Sequence, residues 1–341
     1  MHIDRQRFIA SAAALAGAPS LVGASGRAGA VGARSQEIPK RRLGRTNERV
    51  SLVGMGGFHI GKPDIADAAA IELIHRGIDR GITFLDNSWD YNRGNSELRM
   101  GRALGQGGYR NRVFLMTKID GRTKESARQQ IEQSLSRLLT DRIDLLQFHE
   151  NIRPDDADRI FAPGGAFEAA LAAKAAGKIR FIGFTGHKSP AYHLHMIELA
   201  KKSGFTFDTV QMPLNVMDAH YESFEKRVLP VAKRLDMGII AMKTFGDAHI
   251  LETGLLPPIE MLHYGMNLPT SVVVTGIDKP AILEQAILAA TSFTALSADR
   301  VAAMLAKTSA YAATGKTELY KTTQIFDSTV QNPQWLETAQ I

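Results

Sequence analysis

Gly81-Ile-Thr-Phe-Leu-Asp86-Asn-Ser-Trp-Asp-Tyr91-Asn-Arg-Gly-Asn95-Ser96-Glu97 reads as strand, polar loop and helix start in seventeen residues. Ile82 to Leu85 is the apolar run, Asp86 stands at its end, and Gly94-Asn95-Ser96-Glu97 opens a helix. That is one β-α step of a parallel sheet. Two later strands end the same way: Phe114-Leu-Met-Thr-Lys118 closes on a lysine, and Ile143-Asp-Leu-Leu-Gln-Phe-His149 on a histidine. Ionisable residues at the C-terminal ends of successive parallel strands converge on one mouth, where such barrels keep their chemistry.

Working outward, strands are predicted near 51–55, 82–86, 113–118, 143–148, 179–184, 207–212, 238–242 and 271–275. Helices are predicted near 64–79, 95–105, 122–139, 165–176, 190–203, 220–235, 256–266 and 279–290. Eight such pairs over about 250 residues match a (β/α)8 TIM barrel; a doubly wound sheet is the alternative, but normally has fewer strands. Arg41 to Val53 reads as an N-terminal β-hairpin turning near Thr46-Asn47. From Ala295 the chain adds a helix, Ala298 to Lys307, and then an irregular extension, 308–341, over the barrel mouth or its back.

The chain divides into residues 1–37 and a single barrel domain, 38–341. Asp4-Arg5-Gln6-Arg7-Phe8-Ile9, the Ala-rich run Ala10 to Ala18 and Ala28-Gly29-Ala30 follow the order of an export signal: basic start, short apolar centre, small-residue cleavage site. The arginines beside Phe8 resemble a twin-arginine (Tat) signal, with Gln6 where the second arginine would stand. The expectation is engagement of the Tat or other export machinery through residues 1–30 and a periplasmic location. An Ala/Gly-rich leader on a cytoplasmic protein is the alternative. The apolar run is too short to span a bilayer.

Composition is that of a globular protein, 44% apolar and 22% charged. The net charge of +6 falls to +4 without residues 1–30, which carry Arg5, Arg7 and Arg27 against Asp4. No Lys/Arg run interleaved with aromatics suggests nucleic acid. With no cysteine, disulfides, thiolate metal sites and a cysteine nucleophile are excluded. Gly54-x-Gly56-Gly57 lacks the third glycine and the distant acid of a dinucleotide fingerprint. His193 and His195, two apart on a predicted helix, do not share a face. No metal is expected.

Asp86, Tyr91, Lys118 and His149 each have an ordinary explanation alone: a strand-end cap, a packed aromatic, a surface lysine, a core histidine. Together they form a coherent chemical set. A phenol of pKa about 10 is a poor acid at neutral pH; a neighbouring ammonium should lower that pKa, and a carboxylate should hold the lysine. The imidazole can donate to the same substrate oxygen. The set suits proton donation to a carbonyl oxygen as hydride reaches its carbon.

In these residues the chain resembles the aldo-keto reductases, from Arg42-Leu-Gly-Arg-Thr to about Lys307. Gly94-Asn95-Ser96-Glu97 and Gly177-Lys-Ile-Arg-Phe-Ile-Gly183 add to the likeness. The resemblance implies Tyr91 as proton donor, Lys118 and Asp86 as its tuning pair, His149 orienting the substrate, and a nicotinamide cofactor. NADP(H) is the first expectation, NAD(H) the second. Implied cofactor contacts are Gly57, Phe58, Thr185, Gly186, Gln211, Met242, Lys243, Gly246, Gly276, Lys279 and Gln285. Thr185-Gly186 replaces the family's Ser-Asn pair, Met242 its stacking tyrosine, and Ile282 the arginine many members use for the 2′-phosphate. Substrate contacts are expected from Trp89, Phe58, His59 and Asn151, with Glu150 beside it. The implied function is an NAD(P)H-dependent oxidoreductase acting on a small carbonyl or alcohol. The alternative is a cofactor-binding regulatory or sensor protein on the same barrel.

Overall fold

The computed structural model describes residues 37–341; the export segment, apart from residue 37, lies outside the described residues. Two short strands, β1 (Lys40–Arg42) and β2 (Arg49–Ser51), pair antiparallel as the expected hairpin. Asn47 takes the left-handed conformation at the turn, φ 63°, which asparagine adopts more readily than most residues.

Eight parallel strands then close a barrel: β3 (Val53–Gly56), β4 (Phe84–Asp86), β5 (Phe114–Ile119), β6 (Ile143–Phe148), β7 (Ile179–Thr185), β8 (Thr209–Pro213), β9 (Gly238–Met242) and β10 (Val272–Gly276). β10 pairs with β3 to complete the ring, and helices connect successive strands. Parallel strands covered on both faces need continuous apolar runs, and these runs are what the sequence shows.

Leu43 and Val50 of the hairpin pack with Phe84, Phe114, Met116, Leu145, Ile240 and Val272 inside the barrel. Gly44, at φ 50°, abuts Gly238 at the start of β9, where a Cβ would lie 2.1 Å from the Gly238 nitrogen. The hairpin therefore closes the N-terminal end of the barrel and leaves the C-terminal end for the site.

Two differences from expectation are local. The helix predicted over 220–235 is two short helices, Phe224–Arg227 and Leu229–Arg234. Pro230 has no N–H for a continuing helix and is tolerated only in a first turn. The helix at 298 runs to Ala312, and the extension beyond it contains Leu319–Thr322, Ser328–Gln331 and a 3-10 turn, Pro333–Leu336. The extension lies across the mouth. Tyr320 bonds Asn215 after β8, Asp327 pairs with His187 after β7, and Leu336 O accepts from Arg122 N after β5. Among the described residues no helix is long and apolar enough to cross a membrane.

Candidate active site

β4 ends on Asp86, β5 carries Lys118 one residue before its end, and His149 follows β6 directly. Tyr91 reaches the same point from the loop after β4. Lys118 is 1% exposed, so its ammonium must be fully satisfied. Its three protons match three acceptors: Asp86 Oδ1 in a buried ion pair, Asn87 O at 2.7 Å and Tyr91 Oη at 3.1 Å. Because Lys118 donates to the phenol oxygen, the phenol's own proton is directed elsewhere.

The expectation that Lys118 would lower the phenol's pKa is not met. Burial pushes Tyr91 well above its ordinary value, and Asp86, Asp90, Glu150 and Asp120 act in the same direction. Four carboxylates outweigh one ammonium already paired with one of them. The side chain is thus held as a neutral acid.

His149 is buried with Nδ1 3.0 Å from Asp120 Oδ1, 3.3 Å from Asp90 Oδ1 and 3.2 Å from Ser88 Oγ. Burial alone would lower its pKa, but Asp90 and then Asp120 outweigh it and raise the value to about 10. Burial likewise opposes ionisation of Asp90, yet His149 holds its carboxyl down at about 2. Asp120 is pushed up to about 7, by burial first and then by the Asp90 charge. These two carboxylates were missed in the sequence. The signal for them is position: Asp90 precedes Tyr91, and Asp120 lies two residues after Lys118, where strand alternation returns a side chain to the same face.

The expected cofactor residues fall into two groups. Thr185, Gly186, Met242, Lys243 and Gly276 end or directly follow β7, β9 and β10, and Gln211 lies in the middle of β8. Gln211 Nε2 donates to Asp86 Oδ2 at 2.5 Å, and Thr185 Oγ1 lies 3.9 Å from Met242 Sδ. Buried Gln211 Oε1 and Asn87 Nδ2, both flanking Asp86, have no hydrogen-bond partner within the protein. One acceptor and one donor left open are what a carboxamide can satisfy, so the residues present fit a nicotinamide. Gly57 begins the short helix Gly57–Ile60 with Phe58 and His59. His59 sits against Gly276, where a Cβ would meet its ring at 2.3 Å. Gly246 needs its φ of 55°. Lys279 is the N-cap residue of the helix Pro280–Ser292, which carries Gln285, while Ile282 packs against the core.

Lys243 is turned toward the extension, its Nζ 4.6 Å from the Phe326 ring centroid, and burial lowers its pKa. Among the expected substrate contacts, Phe58 is 44% exposed and meets Tyr91 edge-on at 5.4 Å. Asn151 is buried, donating to Tyr192 O. Trp89, also expected to contact substrate, packs under the extension. It is fully covered, crossing Trp335 at 5.8 Å and donating from Nε1 to Gln133 Oε1. The extension supplies an apolar partner that lay beyond the reach of local sequence reading. Glu150, at a strained φ of 45°, accepts from the backbone and hydroxyl of both Ser328 and Thr329.

These features define a (β/α)8 barrel with an acid–base centre at the C-terminal ends of its strands. Residues 52–256 match the Aldo/keto reductase family, and the chain belongs to that family. It is 30% identical over 220 residues to the uncharacterized oxidoreductase YrpG of Bacillus subtilis, covering 58% of this chain and 64% of that one. It is 31% identical over 239 residues to the L-galactose dehydrogenase of Arabidopsis thaliana, covering 65% and 69%. The chain thus spans just under two thirds of YrpG. Among solved structures, the holo form of aldo-keto reductase AKR11C1 from Bacillus halodurans matches with a TM-score of 0.67 at 21% identity, over 83% of this chain and 99% of that one.

Proposed function

We propose that the protein is an NAD(P)H-dependent oxidoreductase interconverting a small aldehyde or ketone and its alcohol. The observation that supports this most directly is the triple engagement of Lys118, which orients the Tyr91 phenol as a neutral proton donor. A nicotinamide held there would supply the hydride that the carbonyl carbon receives. Tyr91 gives its proton to the carbonyl oxygen, Lys118 and Asp86 keep the phenol aimed, and His149 donates a hydrogen bond to that oxygen. Gln211, Thr185 and Met242 would hold the nicotinamide; Gly57, Phe58, Gly186, Lys243, Gly246, Gly276, Lys279 and Gln285 complete the proposed cofactor cleft. Phe58, His59 and Asn151 are the proposed substrate contacts. NADP(H) is the first choice, with Lys279 as the cation offered to the 2′-phosphate; NAD(H) is the second, because Ile282 offers no charge there. The leader directs export to the periplasm; a protein found only in the cytoplasm after cell fractionation would contradict that assignment.

The test is the loss of reduced-nicotinamide absorbance when full-length protein meets NADPH or NADH and a reactive aromatic aldehyde. Consumption with either cofactor is expected. Tight cofactor binding with no consumption for any carbonyl would favour the sensor reading instead.

A further inference from the structure

Asp90 and Asp120 lie outside the reaction as written, yet they enclose one edge of the His149 ring. Three neighbouring strand ends bring them there, with ligand atoms of Asp90, Asp120 and His149 within 4.8 Å of one another. One carboxylate would suffice to fix the imidazole tautomer. Two buried carboxylates demand positive charge, because unpaired charges out of water are costly.

The surrounding groups leave one source for it. Ser88 Oγ donates to Asp90 Oδ1 at 2.5 Å, and the Ser328 hydroxyl, 2.8 Å from Asp90 Oδ2, has one proton to share between that oxygen and Glu150 Oε1 at 2.9 Å. Those are neutral donors. Lys118 is committed to Asp86, Asn87 O and Tyr91. Arg122 is committed to Asp156 and to the carbonyls of Asp120, His149 and Glu150. Glu150 adds a further negative charge beside His149, though its oxygens are taken up by Ser328 and Thr329. Tyr91 meets the ring edge-on at 5.6 Å and is neutral. Asp120 Oδ2 has no hydrogen-bond partner. Lys243, the other buried cation nearby, is turned to Phe326 in the extension, so among the described residues the imidazole is the cation in contact with both carboxylates.

We propose that Asp90 and Asp120 are positioning residues that keep His149 an imidazolium, so that its Nε2–H is a charged donor to the substrate's carbonyl oxygen. The inference rests on the oxidoreductase reading for the identity of that oxygen. Nδ1 carries the proton shared with the carboxylates, because ionised carboxylates only accept, and Nε2 on the other edge is left for the substrate. A charge-assisted hydrogen bond is roughly twice as strong as a neutral one. It strengthens further as the oxygen becomes an alkoxide, so it favours the transition state over the ground state.

The deciding experiment is nitrogen-15 imidazole NMR on the full-length protein, with the His149 signals assigned by their loss in His149→Gln. At pH 8.5, without cofactor or substrate, both ring nitrogens should be protonated. Asp90→Asn and Asp120→Asn should each lower the titration midpoint by about one pH unit or more, to an at least tenfold higher proton concentration. Their kcat should fall tenfold or more at pH 8.5 and recover toward pH 6, with KM for the cofactor unchanged. A purely structural defect would show no such recovery. A neutral His149 at pH 7 in the wild-type protein would overturn the proposal, even if neither variant folds. A charged His149 in a protein that reduces no carbonyl would uphold the clamp and sink the oxidoreductase reading.

Discussion

A phenol serves as an acid only if its proton is aimed, and in Tyr91 the aim is set by a neighbour that occupies the oxygen's lone pair. Lys118 does this from 3.1 Å while anchored on Asp86 and Asn87 O. Tyr91→Phe removes the proton and leaves the ring; turnover should fall by about 10²–10⁴-fold, with cofactor affinity little changed by fluorescence titration. Undiminished turnover would end the assignment. The anchor has its own dependence on Gly57, where an added Cβ would lie 2.6 Å from Asp86 O and 2.9 Å from Asn87 Cγ. Gly57→Ala must displace the end of β4, so it should cost about 1–3 kcal/mol in denaturant unfolding and at least tenfold in kcat. A neutral change in both would mean the strand end yields without disturbing Lys118.

The element that sequence reading described least well is the extension after Ala312. Its contacts explain why. Ser328 and Thr329 bond Glu150 from 178 and 179 residues away, and Trp335 O and Thr338 O accept from Gln130 Nε2 across more than 200. No hydrophobic period within the extension encodes those partners; short helices held by distant groups leave little local pattern. The same blindness hid the packing of Trp89, whose covering ring is Trp335. Trp89 and Trp335 are the two tryptophans of the chain, so fluorescence reads this docking. Glu150→Gln removes the charge that receives the start of the helix Ser328–Gln331. In a Trp335→Phe background it should shift Trp89 emission to the red, and amide exchange over 326–339 should quicken about 10–100-fold, for a lost charged hydrogen bond of about 1.5–3 kcal/mol. Unchanged exchange would show that the contacts to Gln130 and Gln133 hold the extension by themselves.

At the scale of the whole molecule the barrel was legible because burial on both faces forces largely apolar strands, three of which run into an ionisable residue at or beside their ends. Asp86, Lys118 and His149 announce themselves at those ends. The field they create together was not legible, because it adds burial to charges from three loops: with Asp86, the carboxylates of Asp90, Glu150 and Asp120 join burial in reversing the pKa shift expected for Tyr91. That field also couples the acid–base centre to global stability. A histidine at about 10 in the folded protein and about 6.5 unfolded favours folding fully below pH 6.5, and its contribution is lost as pH rises through 10. Asp120, raised to about 7, makes folding less favourable as pH climbs from about 4 to 7. Asp90, lowered to about 2, contributes above about pH 4 and loses its contribution only as pH falls through 2. Between pH 7 and 10, then, His149 is the member of the cluster whose titration acts. Wild-type protein should lose about 2–4 kcal/mol more than the Asp90→Asn/Asp120→Asn/His149→Gln variant over that interval, at about 1.4 kcal/mol per pKa unit, in denaturant unfolding at fixed temperature. Surface tyrosines and lysines titrate equally in both proteins and cancel in the difference. Parallel pH profiles for the two would mean that the carboxylates are compensated by something other than the imidazolium.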